Sequence, residues 1–327
     1  MTAGFQTQVN TVPAPAVAGD FATMNTNRFT FPAGPGGLVA GNSGVAVGLW
    51  GWTNDQGMDP DNAPTIVNNF AGITGTLAPQ GFIAREQQGL NTIYLLDATQ
   101  IVPQGFPVTL YTVGDFWVKN GGATAAYIGQ KAYASLNSGI TTFAAPGSAS
   151  TASINGSIGA GTASFTGYVV GNVLNVLSVA SGVLYVGELV YGSIGGSGVT
   201  AGSFISSQLS GTGGVGTYSL TVGEQLVGGT AGGSLSGSYG LLTVGTLSSG
   251  TVFVGGSIGG AGVTANTILA ALVTGTGGVG TYVVNNTQTV AAAALTVGSN
   301  VETNFYAMSS GQPNELIKIS RQLNTAT

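Results

Sequence analysis

The octapeptide GTGGVGTY stands at 211–218 and again at 275–282, so the same piece of chain recurs at a period of 64 residues. Two further matches frame it. SIGGSGVTA (193–201) recurs as SIGGAGVTA (257–265), and GNVLNVLSVASG (171–182) aligns with YGLLTVGTLSSG (239–250). The second pair is offset by 68, and the surplus of four is assigned to the stretch ELVY (188–191) of the first copy. Such self-similarity is the mark of one structural unit built twice. The two units run from about 163 to 231 and from 233 to 297.

Each unit reads as short strands. In TYSLTV, Tyr218, Leu220 and Val222 alternate with Thr217, Ser219 and Thr221, the pattern of a half-buried strand. TVFVGG (251–256) has the same rhythm, and Ser181-Gly182 and Ser249-Gly250 sit where turns are expected. Glycine costs about 1 kcal/mol relative to alanine inside a helix. With 57 glycines in 327 residues, the chain is expected to be all-β: a barrel-like or sandwich-like base carrying an inserted module of two similar β units.

Charge divides the chain. Of its 17 charged residues only Glu188 and Glu224 lie within 132–301. This sets off a charged zone (1–147), a Gly/Ser/Thr/Val zone and a charged tail (299–327). The tail returns to the style of the first zone, with a turn at SSGQPN between strand-like runs. It is expected to complete a discontinuous base, 1–147 plus 299–327. The rest divides into a linker with the first repeat (148–232) and the second repeat (233–298).

Composition removes several functions. There is no cysteine and no histidine, so disulfides, Cys/His metal sites and His-based triads are excluded. Six basic residues against eleven acidic ones do not make a phosphate-binding surface, so no nucleic-acid partner is expected. The apolar runs are too short and too broken for a membrane span, and the start of the chain lacks the pattern of an export signal.

The glycines of GTGGVG have the spacing of a dinucleotide-binding turn, but the residues after them are strand-like and lack the acidic residue about 20 positions on. A turn launching a strand is the expected role. Glu188 and Glu224 do not form a glycosidase pair by any spacing rule, and Glu224 aligns with Gln288 of the second copy. Asp55, Asp59 and Asp61 are read as a solvated turn rather than a calcium loop. No cofactor and no metal is expected, and the protein is read as a non-enzyme.

Three features bear on packing and on contact with other chains. The arm QTQVNTVPAPAVAGDF is held extended by its prolines, to hug its own domain or to reach a neighbour. Trp50 and Trp52 fall on one face of an alternating strand, suiting a core or a subunit interface. Trp117 lies between Asp115 and Lys119, which alternation puts on its own face, as an ion pair flanking a ring. The expected contact residues are Val9, Pro13, Pro15, Asp20, Phe21, Arg28, Trp50 and Trp52.

Outside the repeats the chain resembles the structural cement, or capsid decoration, proteins of tailed bacteriophages. The resemblance is carried by PAPAVAGDF (13–21), AGPGGLVAG (33–41), GFIAREQQGLNTIYL (81–95), GFPVTLYTVGDFWVKNGG (105–122), IGQKAYA (128–134) and NELIKIS (314–320). It implies a non-enzymatic homotrimer on the outer surface of a virion, bound where major capsid protein subunits meet and strengthening the shell. The repeats would project outward. They leave open a weak glycan contact, or a fibre or adhesin role, through Tyr168, Tyr185, Tyr191, Tyr218, Tyr239 and Tyr282.

Overall fold

A computed structural model describes residues 16–24, 27–33, 36–53, 64–72, 78–86, 100–223 and 225–321. Among these the chain is all-β, without a helix. The first zone supplies β1 (Phe29–Thr30), β2 (Leu38–Ala40), β3 (Val45–Ala46), β4 (Trp50–Thr53), β5 (Thr65–Asn68), β6 (Gly81–Phe82), β7 (Ile101–Val102), β8 (Tyr111–Lys119), β9 (Lys131–Ser135) and β10 (Thr141–Ala144). The glycine-rich zone begins with the 21-residue β11 (Thr151–Gly171), followed by β12 (Val173–Ser181), β13 (Leu189–Tyr191), β14 (Ser193–Ile194), β15 (Ser197–Gly198) and β16 (Ile205–Gln208). It continues with β17 (Gly216–Leu220), β18 (Gln225–Val227), the 17-residue β19 (Gly233–Ser249), β20 (Ile258–Gly260), β21 (Leu269–Leu272), β22 (Gly280–Val284) and β23 (Val290–Gly298). The tail adds β24 (Asn300–Ala307) and β25 (Leu316–Arg321).

The tail strands enter the sheet of the first zone, whose order is β10-β9-β24-β25-β8-β6-β4-β5-β2, with β1 on β8. Its interior is aromatic. Trp50, Phe82, Phe116 and Phe305 pack with ring centroids 4.8–6.1 Å apart, and Trp52, Phe143 and Ile319 fill in around them. Trp50 and Trp52 do share a face, and that face is the chain's own core, at 1% and 0% exposure. Gly51 between them faces a second cluster, where a Cβ would come within 2.6 Å of Leu110. Strand β4 is thus covered on both sides, and neither tryptophan presents a surface to another chain.

The glycine-rich zone forms a separate sheet built on the long antiparallel pair β11 and β19, in one register from Gly167↔Gly233 to Gly156↔Val244 and continuing to Ser153↔Ser249 through two register shifts. Two cores lie at opposite ends of this pair. Phe165, Val169, Leu174, Tyr218 and Leu235 fill the first unit; Ile154, Ile158, Leu242, Tyr282 and Leu295 fill the second. Strand β11 serves both ends, and its sequence says so: TASINGSI (151–158) and TASFTGYV (162–169) place Ala152 and Ala163, Ile154 and Phe165, Ile158 and Val169 inward. The second unit therefore draws a strand from before the first unit in the chain.

Hydrogen bonds fix the correspondence of the units. Gly187 N to Ile205 O matches Gly255 N to Leu269 O, and Val190 N to Ser203 O matches Ile258 N to Thr267 O. The offset of 68 thus persists past Val190. The four surplus residues fall within 193–198, where β14 and β15 make a small hairpin, and not at 188–191. Gln225 Oε1 accepts from Thr200 N at 2.8 Å as Gln288 Oε1 accepts from Thr264 N at 2.8 Å. Gln288 is therefore the partner of Gln225, not of Glu224, which lies outside the described residues. Sequence identity misled at both places because Ser-Ile-Gly-Gly and Glu-Gln tolerate a slip that the inward positions do not.

The GTGGVG loops adopt the turn expected of them. Gly213 and Gly277 have φ of +87° and +106°, a region that favours glycine. Each loop closes on the tyrosine behind it: Tyr218 Oη donates to Gly214 O at 2.7 Å and Tyr282 Oη to Gly278 O at 2.6 Å. TVFVGG, by contrast, is not a strand; Val252 is buried, but the backbone leaves the ladder to turn at Gly255.

Candidate functional site

Ordinary β-pairing anchors the end of the arm. Gly19 N donates to Trp117 O at 2.7 Å, Trp117 N to Asp20 O at 2.9 Å and Ala22 N to Asp115 O at 2.9 Å, so residues 19–22 run along β8. Arg85 N returns to Gly19 O at 2.8 Å, closing the other side. A Cβ on Gly19 would stand 3.0 Å from Gly48 N, at a φ of +95°, so the backbone passes where a side chain does not fit.

This lacing gathers three of the residues expected from the sequence. Phe21 packs edge-on against Tyr111 (5.4 Å) and tilted against Phe116 (5.6 Å). The Arg28 guanidinium lies 3.8 Å above the Phe21 ring and donates to Thr23 O at 2.9 Å. Asp20 pairs with Arg85 at 3.5 Å. Sequence reasoning missed their partners. Glu86 accepts from Tyr111 Oη at 2.5 Å and from Thr109 Oγ1 at 3.0 Å. Burial first, and then the Glu86 carboxylate, push the Tyr111 hydroxyl above its ordinary range. Val17, Met24 and Phe29 remain exposed beside this cluster, apolar side chains on a polar rim. Val9, Pro13 and Pro15 lie outside the described residues, as do Asp55, Asp59 and Asp61.

The expected ion pair around Trp117 does not form. Asp115 accepts from Ser320 Oγ and Thr23 Oγ1, both at 2.5 Å, and the cation over the indole is Lys318, 5.3 Å from the ring centroid, brought there by the Lys318↔Trp117 register. A strand reached from the far end of the chain supplies it, which local spacing does not reveal.

A second polar cluster sits where the chain passes from β10 to β11 and from β23 to β24. Glu302 Oε2 accepts from Gly147 N at 2.7 Å and from Tyr133 Oη at 2.9 Å, and Oε1 lies 3.6 Å from Lys131 Nζ. The Gly147 N–H, above all, holds this carboxyl below its ordinary value. Ser299 N donates to Ser150 O at 3.0 Å and Ser150 N to Asn300 Oδ1 at 2.6 Å. The two connections are tied together side by side. Of the repeat tyrosines, Tyr218, Tyr239 and Tyr282 are buried, and Tyr191 is exposed.

Residues 5–181 match the family model described as XM1 gp53 minor capsid protein. The chain belongs to this family. The match runs from the arm through the anchoring strand β8 and the junction into β12, so it covers the arm-anchoring cluster and, of the second cluster, Lys131, Tyr133, Gly147 and Ser150 but not Ser299, Asn300 or Glu302. Membership makes the chain a structural protein of a phage capsid, and thus a component of the virion. No curated protein and no solved structure matches it.

Proposed function

We propose that this minor capsid protein decorates the outer surface of the shell as a homotrimer, bridging neighbouring major capsid protein subunits and stabilising them, without enzymatic activity. The base is residues 1–147 with 299–327, and the repeats project from it. The observation that carries this reading is the paired entry and exit of the glycine-rich sheet at Ser150 and Ser299, which lets one point of the base bear the whole module. The arm-anchoring cluster around Asp20, Phe21 and Arg28, with its exposed apolar neighbours, is the contact face on this reading. Many copies, each gripping modestly, would add up through multivalency.

Particles lacking the protein should lose DNA under heat or osmotic shock more readily than complete ones. Equal survival would sink the cement role. Immunogold label at the tail tip instead of the shell would favour the fibre or adhesin reading.

A further inference from the structure

Glu188 is fully buried in the first unit, yet only one of its carboxyl oxygens is engaged. Oε2 accepts from Tyr185 N at 2.9 Å; Oε1 is without a hydrogen-bond partner. A buried polar atom left so is costly, and the charged form costs most. The second unit shows that the turn does not require it. There the same backbone bonds are made by Gly256: Gly256 N to Phe253 O and Leu269 N to Gly256 O, at 3.1 and 2.9 Å, match Glu188 N to Tyr185 O and Ile205 N to Glu188 O at 3.1 and 2.9 Å.

The facing strand carries the reciprocal change. Val190 pairs with Gly237 as Ile258 pairs with Val297. A Cβ on Gly237 would stand 1.6 Å from Glu188 Oε1, and one on Gly256 would stand 2.7 Å from Val297 Cγ1. One seam thus has two fillings: a valine opposite a glycine in the second unit, a carboxyl opposite a glycine in the first.

We propose that Glu188 is a pH-operated latch on the seam between residues 185–191 and β19. Neutral, it occupies the place Val297 takes in the second unit; ionised, it loosens the seam. The titratable groups facing it are the phenols of Tyr218 from β17 and Tyr239 from β19, while Tyr185 of its own turn reaches it through the backbone N–H and sets its ring against Tyr239. None is a cation that would hold the charged form. Burial accordingly pushes the carboxyl from 4.5 up to about 7. A folded value raised above the unfolded one gives stability that is complete below the unfolded value and is lost as pH rises through the folded one.

Amide hydrogen exchange on the full chain, at about pH 5.5 and about pH 8 and corrected for intrinsic rates, tests this. Opening of the 188–191 and 236–238 amides should rise about tenfold or more across that interval. The matching 256–259 and 296–298 amides of the second unit should not respond. Glu188→Gln, and the exchange Glu188→Gly with Gly237→Val that copies the second unit, should abolish the response. Equal behaviour of the two seams in the natural protein would overturn the latch, and this comparison needs no variant to fold. A response that survives the double exchange would overturn it as well.

Discussion

Tyr133 on β9 donates its hydroxyl to Glu302 on β24 at 2.9 Å, and the same hydroxyl accepts from Ser148 N at 2.9 Å. The pair binds the outgoing connection of the glycine-rich sheet to the strand by which the chain returns. Glu302 also takes the Gly147 N–H, so a single carboxylate terminates two donors from different segments.

Replacing Glu302 with Gln should weaken this root. Loss of charge assistance at two hydrogen bonds should lower stability by about 1–2 kcal/mol, read by urea denaturation. The wild type should also loosen in acid. Its carboxyl is held low in the folded state, so the stabilisation is present above the ordinary carboxylate value and is lost as pH falls through the lowered one. The Gln variant should lack that dependence. The root and the Glu188 seam then respond to pH in opposite senses.

Tyr218→Phe and Tyr282→Phe remove the hydroxyls that close the two glycine loops. Each should cost about 1 kcal/mol and raise amide exchange within its own loop, 211–216 or 275–280. Because the bonds differ by only 0.1 Å between the units, the two variants should lose similar amounts. A loss confined to one would mean that the loops are not equivalent.

Alternation and turn chemistry act within a few residues, and what depended on them alone was legible in the sequence. Tyr218 and Leu220 point inward, Gly182 and Gly250 turn at φ of +79°, and Trp50 and Trp52 share a face. Which face is buried is decided elsewhere. β4 is covered on both faces, by the cluster with Phe116 and Phe305 on one and by Leu110 and Ile83 on the other, so the tryptophans became core. The polar partners at the arm and at the junction were invisible for the same reason: Glu86 meets Tyr111 across 25 residues, and Glu302 meets Tyr133 across 169. Glu188 shows a different limit. Its counterpart is a glycine, and only hydrogen-bond register, not residue identity, reveals that the two positions correspond.

Trp50→Ala should be tested for stability and not for contact. The indole is 1% exposed, packs against Phe82 and Phe305, and donates to Thr141 Oγ1 at 3.0 Å. Truncation should cost about 3–5 kcal/mol and lower the thermal midpoint. Thr141→Val keeps the shape but strands the indole N–H, at about 1–3 kcal/mol. A Trp50 variant with unchanged stability would contradict the core placement.

Arg28→Ala separates anchoring from folding. It removes the cation over Phe21 and the bond to Thr23 O, while the β8 ladder to β25 is untouched. A cation–aromatic contact at a partly exposed site is worth about 0.5–2 kcal/mol. The variant should therefore stay folded, with near-normal unfolding by heat, while exchange of the amides at 19–22 speeds up. If this face grips the shell, the loosened arm should also lower the occupancy of the variant on capsids by roughly tenfold, since 1.4 kcal/mol is a factor of ten. The readout is co-sedimentation with particles that lack the protein. Normal occupancy together with faster exchange would leave the anchor intact as a structural element and remove it from the contact face.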